Sequence, residues 1–335
     1  MSSRAQTYLI TGGAGFIGSH LADALLARGD RVIVLDNLST GRLANLDAAS
    51  SHPQFRFVQG SVLDEVVVDE LVHQADVIVH LAAAVGVKLI VEQPLKSLTT
   101  NIRGSEIVIA AAYRYRRTVM VASTSEIYGK NSSGPLDEHA DRVLGSPAVT
   151  RWSYSTAKAV EEILANAYHN ERGLPTIVVR LFNTVGPRQS PSYGMVIPRL
   201  VRQAVAGEPL TVFGSGRQTR CFAHVSDAVR AMLALLAHPE AVGGTFNVGS
   251  AEETSILRLA ELVIEQAASA SRIELIPYDR AYGSGFEDMH RRVPDTGRLR
   301  ALTGWTPRYG LLDVLGEMVA EARHERDAAA QLVLS

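Results

Sequence analysis

The chain has 335 residues, a formal net charge of −2 at pH 7 and one cysteine, Cys221. This charge balance does not favour nucleic acid or an anionic membrane surface as a partner, and one cysteine excludes an internal disulfide framework. No run approaches the roughly 20 apolar residues of a membrane span, and the first residues carry no signal-peptide pattern. We expect a cytoplasmic globular protein in which Cys221 is a buried structural thiol.

The first apolar run, residues 8–11, predicts a strand, and a helical pattern over 17–28 follows it. Between them three glycines form a Gly-x-x-Gly-x-x-Gly turn. Glycines here allow the backbone to approach a pyrophosphate closely, and the helix N-terminus attracts the anion. We therefore predict a dinucleotide site at this turn. Its residues are Gly12, Gly15, Phe16, Ile17 and Gly18.

The second apolar run, residues 32–35, ends in Asp36. An acidic side chain at this place accepts hydrogen bonds from the adenosine ribose hydroxyls and repels a 2′-phosphate. The predicted cofactor is therefore NAD rather than NADP. No histidine, cysteine and carboxylate set has zinc-ligand spacing, so we expect no metal.

The order of elements predicts the fold class. Up to about residue 182, short β-rich runs alternate with helical patterns, which indicates a parallel sheet covered by helices on both faces. The strand runs are 8–11, 32–35, 55–58, 77–81, 119–122 and 177–180, and the helical patterns are 17–28, 66–74, 95–115 and 155–171.

Beyond residue 182 helical patterns dominate. They cover residues 196–206, 226–237, 255–268 and 311–326, with short strands at 245–248 and 273–276. We therefore predict a doubly wound α/β Rossmann domain over 1–182 and a smaller α/β substrate lobe over 183–335, with some elements interleaved.

A second group of polar residues follows the fifth predicted strand. Thr124, Ser125 and Glu126 supply hydroxyls and a carboxylate, and Tyr154 with Lys158 supplies a phenol and an amine. Residues four apart share a helix face, so the Lys158 ammonium is expected to lower the pKa of Tyr154 from about 10 toward neutrality. Beside an oxidising cofactor, this group predicts an oxidation site with Tyr154 as the base.

Several motifs in order resemble the extended short-chain dehydrogenase/reductase superfamily, in its branch of nucleotide-sugar epimerases, dehydratases and decarboxylases. They include Thr-Gly-Gly-Ala-Gly-Phe-Ile-Gly at 11–18, Tyr-Ser-Thr-Ala-Lys at 154–158, Arg-Leu-Phe-Asn-Thr-Val-Gly-Pro-Arg at 180–188 and Gly-Trp-Thr-Pro at 304–307. The resemblance implies that Tyr154 takes the proton of a sugar C4 hydroxyl while NAD⁺ oxidises that carbon. It also implies that Thr124 or Ser125 binds the same oxygen and that Lys158 binds the nicotinamide ribose.

The resemblance also implies contacts to both ligands. Further cofactor contacts are Asn37, Ser39, Thr40, Gly41, Val62, Asp64, Leu81, Ala82, Ala83, Asn101 and Ser123. Contacts to a UDP-sugar are Lys88, Asn183, Arg188, Val196, Thr211, Phe213, Arg220 and Arg292. Among these, Arg220 and Arg292 are expected to bind the diphosphate, which the planar guanidinium suits.

Glu126 distinguishes the branches. Epimerases resemble one another in a small residue here, whereas Thr-Ser-Glu is similar to the UDP-glucuronate decarboxylases (UDP-xylose synthases). The resemblance therefore favours a UDP-glucuronate decarboxylase, which would yield UDP-xylose or release some UDP-4-keto-pentose. The alternatives are a UDP-hexose or UDP-glucuronate 4-epimerase, a 4,6-dehydratase or a non-enzymatic NAD sensor.

Two segments depart from the decarboxylase pattern. Ile90 stands where decarboxylases have a tyrosine, and Tyr193-Gly194-Met195 stands where they have Asp-Gly-Arg. Lys88 follows a Gly-Val pair as the arginine of UDP-glucuronate 4-epimerases does, so it is either a contact to the sugar carboxylate or a solvated loop residue. In this family the helices near 95–115 and 155–171 commonly form a four-helix contact, which predicts a homodimer.

Overall fold

The computed structural model describes residues 5–86, 89, 92–190, 195–282, 289 and 291–334. In chain order its strands are β1 (Thr7–Thr11), β2 (Arg31–Asp36), β3 (Phe55–Gln59), β4 (Val77–His80), β5 (Thr118–Thr124), β6 (Thr176–Leu181), β7 (Thr184–Val185), β8 (Leu210–Phe213), β9 (Thr219–Cys221), β10 (Ala223–His224), β11 (Thr245–Val248), β12 (Glu253–Ser255) and β13 (Ile273–Ile276).

The helices surround these strands. They are α1 (Phe16–Ala27), α2 (Asp47–Ser50), α3 (Glu65–Gln74), α4 (Pro94–Arg114), α5 (Ser153–Arg172), α6 (Val196–Ala206), α7 (Val225–Leu236), α8 (Ile256–Gln266), α9 (Tyr278–Tyr282), α10 (Gly297–Thr303) and α11 (Leu311–Leu334). Within the described residues, no helix combines the length and the apolar character that crossing a membrane requires.

Seven strands form one parallel sheet in the order β11-β6-β5-β4-β1-β2-β3. Helices α1 and α7 cover one face, and α3, α4 and α5 cover the other. Because both faces are buried, β1, β2 and β4 are apolar along nearly their whole length instead of alternating. An open parallel sheet of this kind binds ligands at the carboxyl ends of its strands.

A second apolar core lies beyond the sheet. Helices α6, α8 and α11 pack around it, with the parallel pair β8–β13 at its border. Two further pairs, β7–β10 and β9–β12, connect this lobe to the carboxyl edge of the sheet. A small separate apolar cluster includes Tyr128 and Phe182.

The predicted Rossmann architecture is confirmed. The run 245–248 lies beyond residue 182 in the chain, but Thr245 to Val248 pair with Val178 to Leu181 at the end of the main sheet. Helix α7 also packs against α1 on this sheet. The lobe boundary at residue 182 stays a prediction. Both β11 and α7 follow that residue in the chain and belong to the sheet layer. The helix predicted over 311–326 is longer and ends at Leu334.

Candidate functional site

The glycine turn between β1 and α1 is packed so closely that two of its glycines leave no room for a side chain. Gly12 has a φ of +72°, and a Cβ atom on it would lie 2.8 Å from the backbone nitrogen of Ala82. A Cβ atom on Gly18 would lie 2.5 Å from the carbonyl oxygen of Gly12. Bare backbone therefore covers the N-terminus of α1, whose partial positive charge favours a phosphate.

Asp36 joins this turn to the loop after β2. Its Oδ2 accepts a hydrogen bond from the Ala14 amide at 3.0 Å, and its Oδ1 accepts one from the Leu38 amide at 2.8 Å. Burial raises the pKa of Asp36, and these two hydrogen bonds oppose that rise. In the same loop the Asn37 Oδ1 accepts from the Ser39 amide, and a Cβ atom on Gly41 would lie 3.0 Å from both Asp36 oxygens.

The loop after β4, with Leu81, Ala82 and Ala83, is fixed from two sides. The Ala82 amide donates to Thr11 Oγ1 at 3.3 Å. Asn101 of α4 accepts from the Ala84 amide at 2.8 Å and donates to the Ala84 carbonyl at 3.2 Å. This buried amide thus joins the loop to α4, while Ala82 lies against Gly12 of the glycine turn.

Two other predicted cofactor residues have structural partners. Asp64 caps α3 by accepting from the amides of Val66 and Val67, and Val62 packs against Gly104 of α4. Ser123, at the end of β5, is buried, and its hydroxyl has no hydrogen-bond partner among the described residues.

These features fit a dinucleotide. The glycines form a cradle that a Cβ atom would fill, the helix N-terminus lies behind it, and Asp36 stands at the end of the neighbouring strand. The unpartnered Ser123 hydroxyl lies near the end of β5, one residue before Thr124.

The predicted catalytic residues meet where β5 ends beside α5. Thr124 is the last residue of β5, and its Oγ1 accepts from the Glu126 amide at 3.2 Å. Ser125 opens a 3₁₀ turn, Ser125–Tyr128, that packs against α5, on which Tyr154 and Lys158 are both buried. The structure therefore brings all five together.

Glu126 is held by a residue that sequence reasoning missed. Arg151 binds both carboxylate oxygens, with Nη1 2.5 Å from Oε2 and Nη2 2.9 Å from Oε1, and its side chain is only 5% exposed. Burial acts to raise the pKa of Glu126, but the charge and hydrogen bonds of Arg151, with smaller contributions from Arg292 and Arg220, lower it to about 2. Glu126 is consequently an anion at neutral pH.

The expected effect of Lys158 on Tyr154 is not found. The pKa of Tyr154 is raised above its usual value, first by burial and then by the negative charges of Glu126 and Glu161, whereas Arg151 acts in the opposite direction. The physical reason is a second acid, since Lys158 Nζ lies 2.5 Å from Glu161 Oε2. The lysine charge is largely compensated by this carboxylate.

His80 lies behind this group at the end of β4. Its Nδ1 is 2.7 Å from Thr11 Oγ1, and its Nε2 is 3.1 Å from Ser105 Oγ of α4. Burial, and then the charge of Lys158, lower the pKa of His80 to about 3. The ring is neutral and connects β1, β4 and α4.

Three predicted substrate residues, Arg292, Asn183 and Arg220, lie next to the predicted catalytic group. Arg292 donates to Asn183 Oδ1 at 2.8 Å and has its Nη1 3.7 Å from Glu126 Oε1. Arg220 is buried on β9 and contributes to the low pKa of Glu126. Beside it Cys221 is a buried thiol whose pKa burial raises to about 12.

The other predicted substrate residues lie farther along the second lobe. Arg188 has a φ of +66° and pairs with Asp23 of α1 at 2.8 Å. Val196 opens α6, while Thr211 and Phe213 lie on β8, where Thr211 bonds Gln203 and Arg199 stacks 4.0 Å from the centre of the Phe213 ring. Lys88, Ile90, Tyr193 and Gly194 lie outside the described residues.

A sequence signal existed for Glu161, one of the two residues that sequence reasoning missed. Arg151 lies three positions before Tyr154, and Glu161 lies seven positions after it, which puts Tyr154, Lys158 and Glu161 on one face of α5. A search of that face for further charges would have found Glu161.

Comparisons with known proteins agree with this geometry. Residues 8–249 match the family model described as the NAD dependent epimerase/dehydratase family. Over 301 residues the chain is 41% identical to a UDP-N-acetyl-alpha-D-glucosaminuronate decarboxylase of Bacillus cytotoxicus, covering 89% of this chain and 92% of the relative.

A plant relative and a solved structure extend the comparison. UDP-glucuronic acid decarboxylase 1 of Arabidopsis thaliana is 35% identical over 316 residues, which are 94% of this chain and 69% of the relative. The crystal structure of a UDP-glucuronic acid 4-epimerase from Bacillus cereus, in complex with UDP-glucuronic acid and NAD, superposes with a TM-score of 0.86 at 27% identity, covering 95% of this chain and 99% of that one.

Proposed function

Because the chain belongs to the NAD-dependent epimerase/dehydratase family, we propose that it oxidises C4 of a UDP-linked uronic acid and then removes the carboxyl group as CO₂. The observation that carries this proposal is the charge around Tyr154. Glu126 is bound by Arg151 and neighboured by Arg292, and Glu161 is paired with Lys158, so three cations accompany two carboxylates. A net positive charge beside the base suits a sugar whose C6 is a carboxylate.

We assign the cofactor to the glycine turn, Asp36 and the edge of β5. NAD supplies the oxidant for C4 when it is bound. Bare backbone at Gly12 and Gly18 faces the pyrophosphate, Asp36 accepts from the adenosine ribose, and Lys158 donates to the nicotinamide ribose.

Tyr154 accepts the C4 hydroxyl proton in the oxidation and returns it in the reduction, and Thr124 binds the same oxygen. The resulting 4-keto uronate is a β-keto acid. Its C5–C6 bond breaks, CO₂ leaves, and the bonding electron pair passes to the C4 oxygen as an enolate that takes up a proton at C5. Reduction at C4 then gives the pentose.

Two relatives are named as decarboxylases, which supports this assignment. The substrates in their names differ in the substituent at C2 of the sugar. A 4-epimerase of the same fold is the second candidate, because it shares the C4 oxidation and has a superposable structure. The two functions separate after the 4-keto stage.

The test is to incubate the protein with NAD⁺ and either UDP-glucuronate or UDP-N-acetylglucosaminuronate, and to follow the product by mass spectrometry. We expect at least one substrate to lose the mass of CO₂. Tyr154→Phe is the control, which should bind NAD and form no product. A product that keeps its carboxyl carbon and has changed stereochemistry would refute the decarboxylase and favour the epimerase.

We also propose that two copies associate through α4 and α5. These helices pack side by side on one face of the sheet and carry two large exposed apolar side chains, Leu95 and Ile163. In a four-helix contact between two copies, both side chains would be covered by the partner.

A further inference from the structure

Helix α5 carries a third titratable residue on the face that bears Tyr154 and Lys158. Tyr154, Lys158 and Glu161 occupy positions i, i+4 and i+7 of α5, so they follow one another along the same side. Lys158 Nζ lies 2.5 Å from Glu161 Oε2, and the two side chains are 3% and 0% exposed. A carboxylate is rarely buried to this degree unless it is paired.

The polar groups around this ion pair are either paired elsewhere or uncharged. On the same helix Glu162 binds Arg180 at 2.8 Å and is therefore engaged elsewhere. From α4 the nearby polar group is the neutral hydroxyl of Ser105, and from β4 it is His80, whose pKa of about 3 leaves the ring uncharged. Among the described residues, Glu161 is thus the carboxylate that contacts Lys158.

Tyr154 consequently lies between two ion pairs. Arg151 with Glu126 stands on the side of the 3₁₀ turn, and Lys158 with Glu161 stands along the helix. Burial is the largest cause of the raised pKa of Tyr154, the negative charges of Glu126 and Glu161 raise it further, and Arg151 lowers it. Burial also raises the pKa of Glu161, and the charge and hydrogen bond of Lys158 oppose that rise. Removing the negative charge of Glu161 would leave the Lys158 ammonium uncompensated one helical turn from the phenol.

We propose that Glu161 is a positioning residue, which holds Lys158 in place and offsets part of its charge, so that Tyr154 keeps its proton more firmly. The proposal rests on the proposed function only in taking Tyr154 as the acid and base of the C4 reaction. The balance matters because the same phenol must accept a proton in the oxidation and give it back in the reduction. A carboxylate behind the lysine favours the second of these steps.

The first test is the pH profile of C4 oxidation in Glu161→Gln. The oxidation is monitored in a single turnover through the absorbance of the reduced nicotinamide. This signal arises in a decarboxylase and in an epimerase alike, so it is independent of product identity. We expect the acid limb to move to lower pH by about one unit, because one negative charge near the phenol is removed. An acid limb at the wild-type pH would overturn the proposal.

The second test needs no sugar. Tyrosine ionisation in the NAD-loaded protein is titrated by ultraviolet difference absorbance, and each protein is compared with its own Tyr154→Phe counterpart because the chain has 10 tyrosines. Ionisation of Tyr154 should occur at lower pH in Glu161→Gln than in wild type. Equal ionisation curves would contradict the proposal whatever the substrate.

The matched control is Glu162→Gln, the adjacent buried acid whose partner is Arg180. It should lower stability and leave both titrations at the wild-type pH. If Glu161→Gln does not fold, Glu161→Ala removes the same charge and leaves room for water beside Lys158. A shift of equal size in Glu162→Gln would mean a general structural effect and would refute a specific role for Glu161.

Discussion

At the scale of single residues, the state of Glu126 limits what it can do. Arg151 binds both of its oxygens, and a pKa of about 2 keeps it ionised at neutral pH. A carboxylate in this state accepts hydrogen bonds but cannot supply a proton. The proton that C5 takes up after CO₂ loss therefore comes from another donor, and Glu126 acts through its charge and the arginines it holds.

Replacing Glu126 tests the strength of this ion pair. In Glu126→Gln the buried Arg151 guanidinium loses its counter-charge, so we expect the free energy of unfolding at pH 7 to fall by about 3 kcal/mol. The sign with pH follows from the lowered pKa. The stability that ionised Glu126 contributes in the wild type is fully present above its ordinary pKa of 4.5. It is lost as the pH falls through the lowered pKa of about 2.

Urea unfolding at pH 7 and at acidic pH measures both effects. The matched control is Glu65→Gln. Glu65 pairs with Arg103 at 2.9 Å, but the side chains of Glu65 and Arg103 are both more than half exposed. Such an exposed pair is expected to contribute less than about 1 kcal/mol. Equal losses in the two variants would show that the Glu126–Arg151 pair contributes no more than a surface ion pair.

At the scale of elements, the glycine turn has little tolerance for change. Gly12→Ala would require a left-handed φ in alanine and would place a Cβ atom 2.8 Å from Ala82 N. We expect NAD affinity, measured by isothermal titration calorimetry, to fall roughly tenfold or more because the cradle must open.

Gly207 provides the control for backbone strain. It ends α6 with the same φ of +72°, but nothing lies within 4 Å of a Cβ atom there. Gly207→Ala should therefore cost about 1 kcal/mol of stability and leave NAD affinity unchanged. If Gly12→Ala binds NAD as tightly as Gly207→Ala does, the turn is not the pyrophosphate site.

The sequence predicts elements better than it predicts their partners. Hydrophobic period and turn glycines identify β1, α1 and β2, because those signals are local. The position of β11 next to β6 depends on where the chain returns after residue 182, and no local pattern records that. Likewise the ion pair between Arg151 and Glu126 joins residues that are 25 apart in the chain. The motif around Tyr154 therefore identifies the reacting groups but does not reveal that Arg151 lowers the pKa of Glu126.

At the scale of the whole molecule, the exposed apolar side chains of α4 and α5 bear on assembly. Ile163 of α5 is 62% exposed. If these helices form the dimer contact, Ile163→Glu should bury a charge in each copy and shift the protein from dimer to monomer. Size-exclusion chromatography with light scattering measures the mass directly.

Leu312→Glu is the control, because Leu312 is also an exposed apolar residue, 52% exposed, but lies on α11. This variant should keep the wild-type mass. A wild-type protein that is monomeric at all concentrations, or an Ile163→Glu variant that stays dimeric, would exclude α4 and α5 as the contact.

The late position of β11 in the chain has a consequence for synthesis. Asn247 of β11 accepts from the Tyr128 hydroxyl at 2.7 Å and donates to the Leu136 carbonyl at 2.8 Å, so it fixes the segment that follows the catalytic turn. A nascent chain that has emerged only as far as β6 lacks this anchor and presents an open strand edge. Such edges pair with other chains, so the edge of β6 stays open to misassembly on the ribosome until residue 248 has emerged.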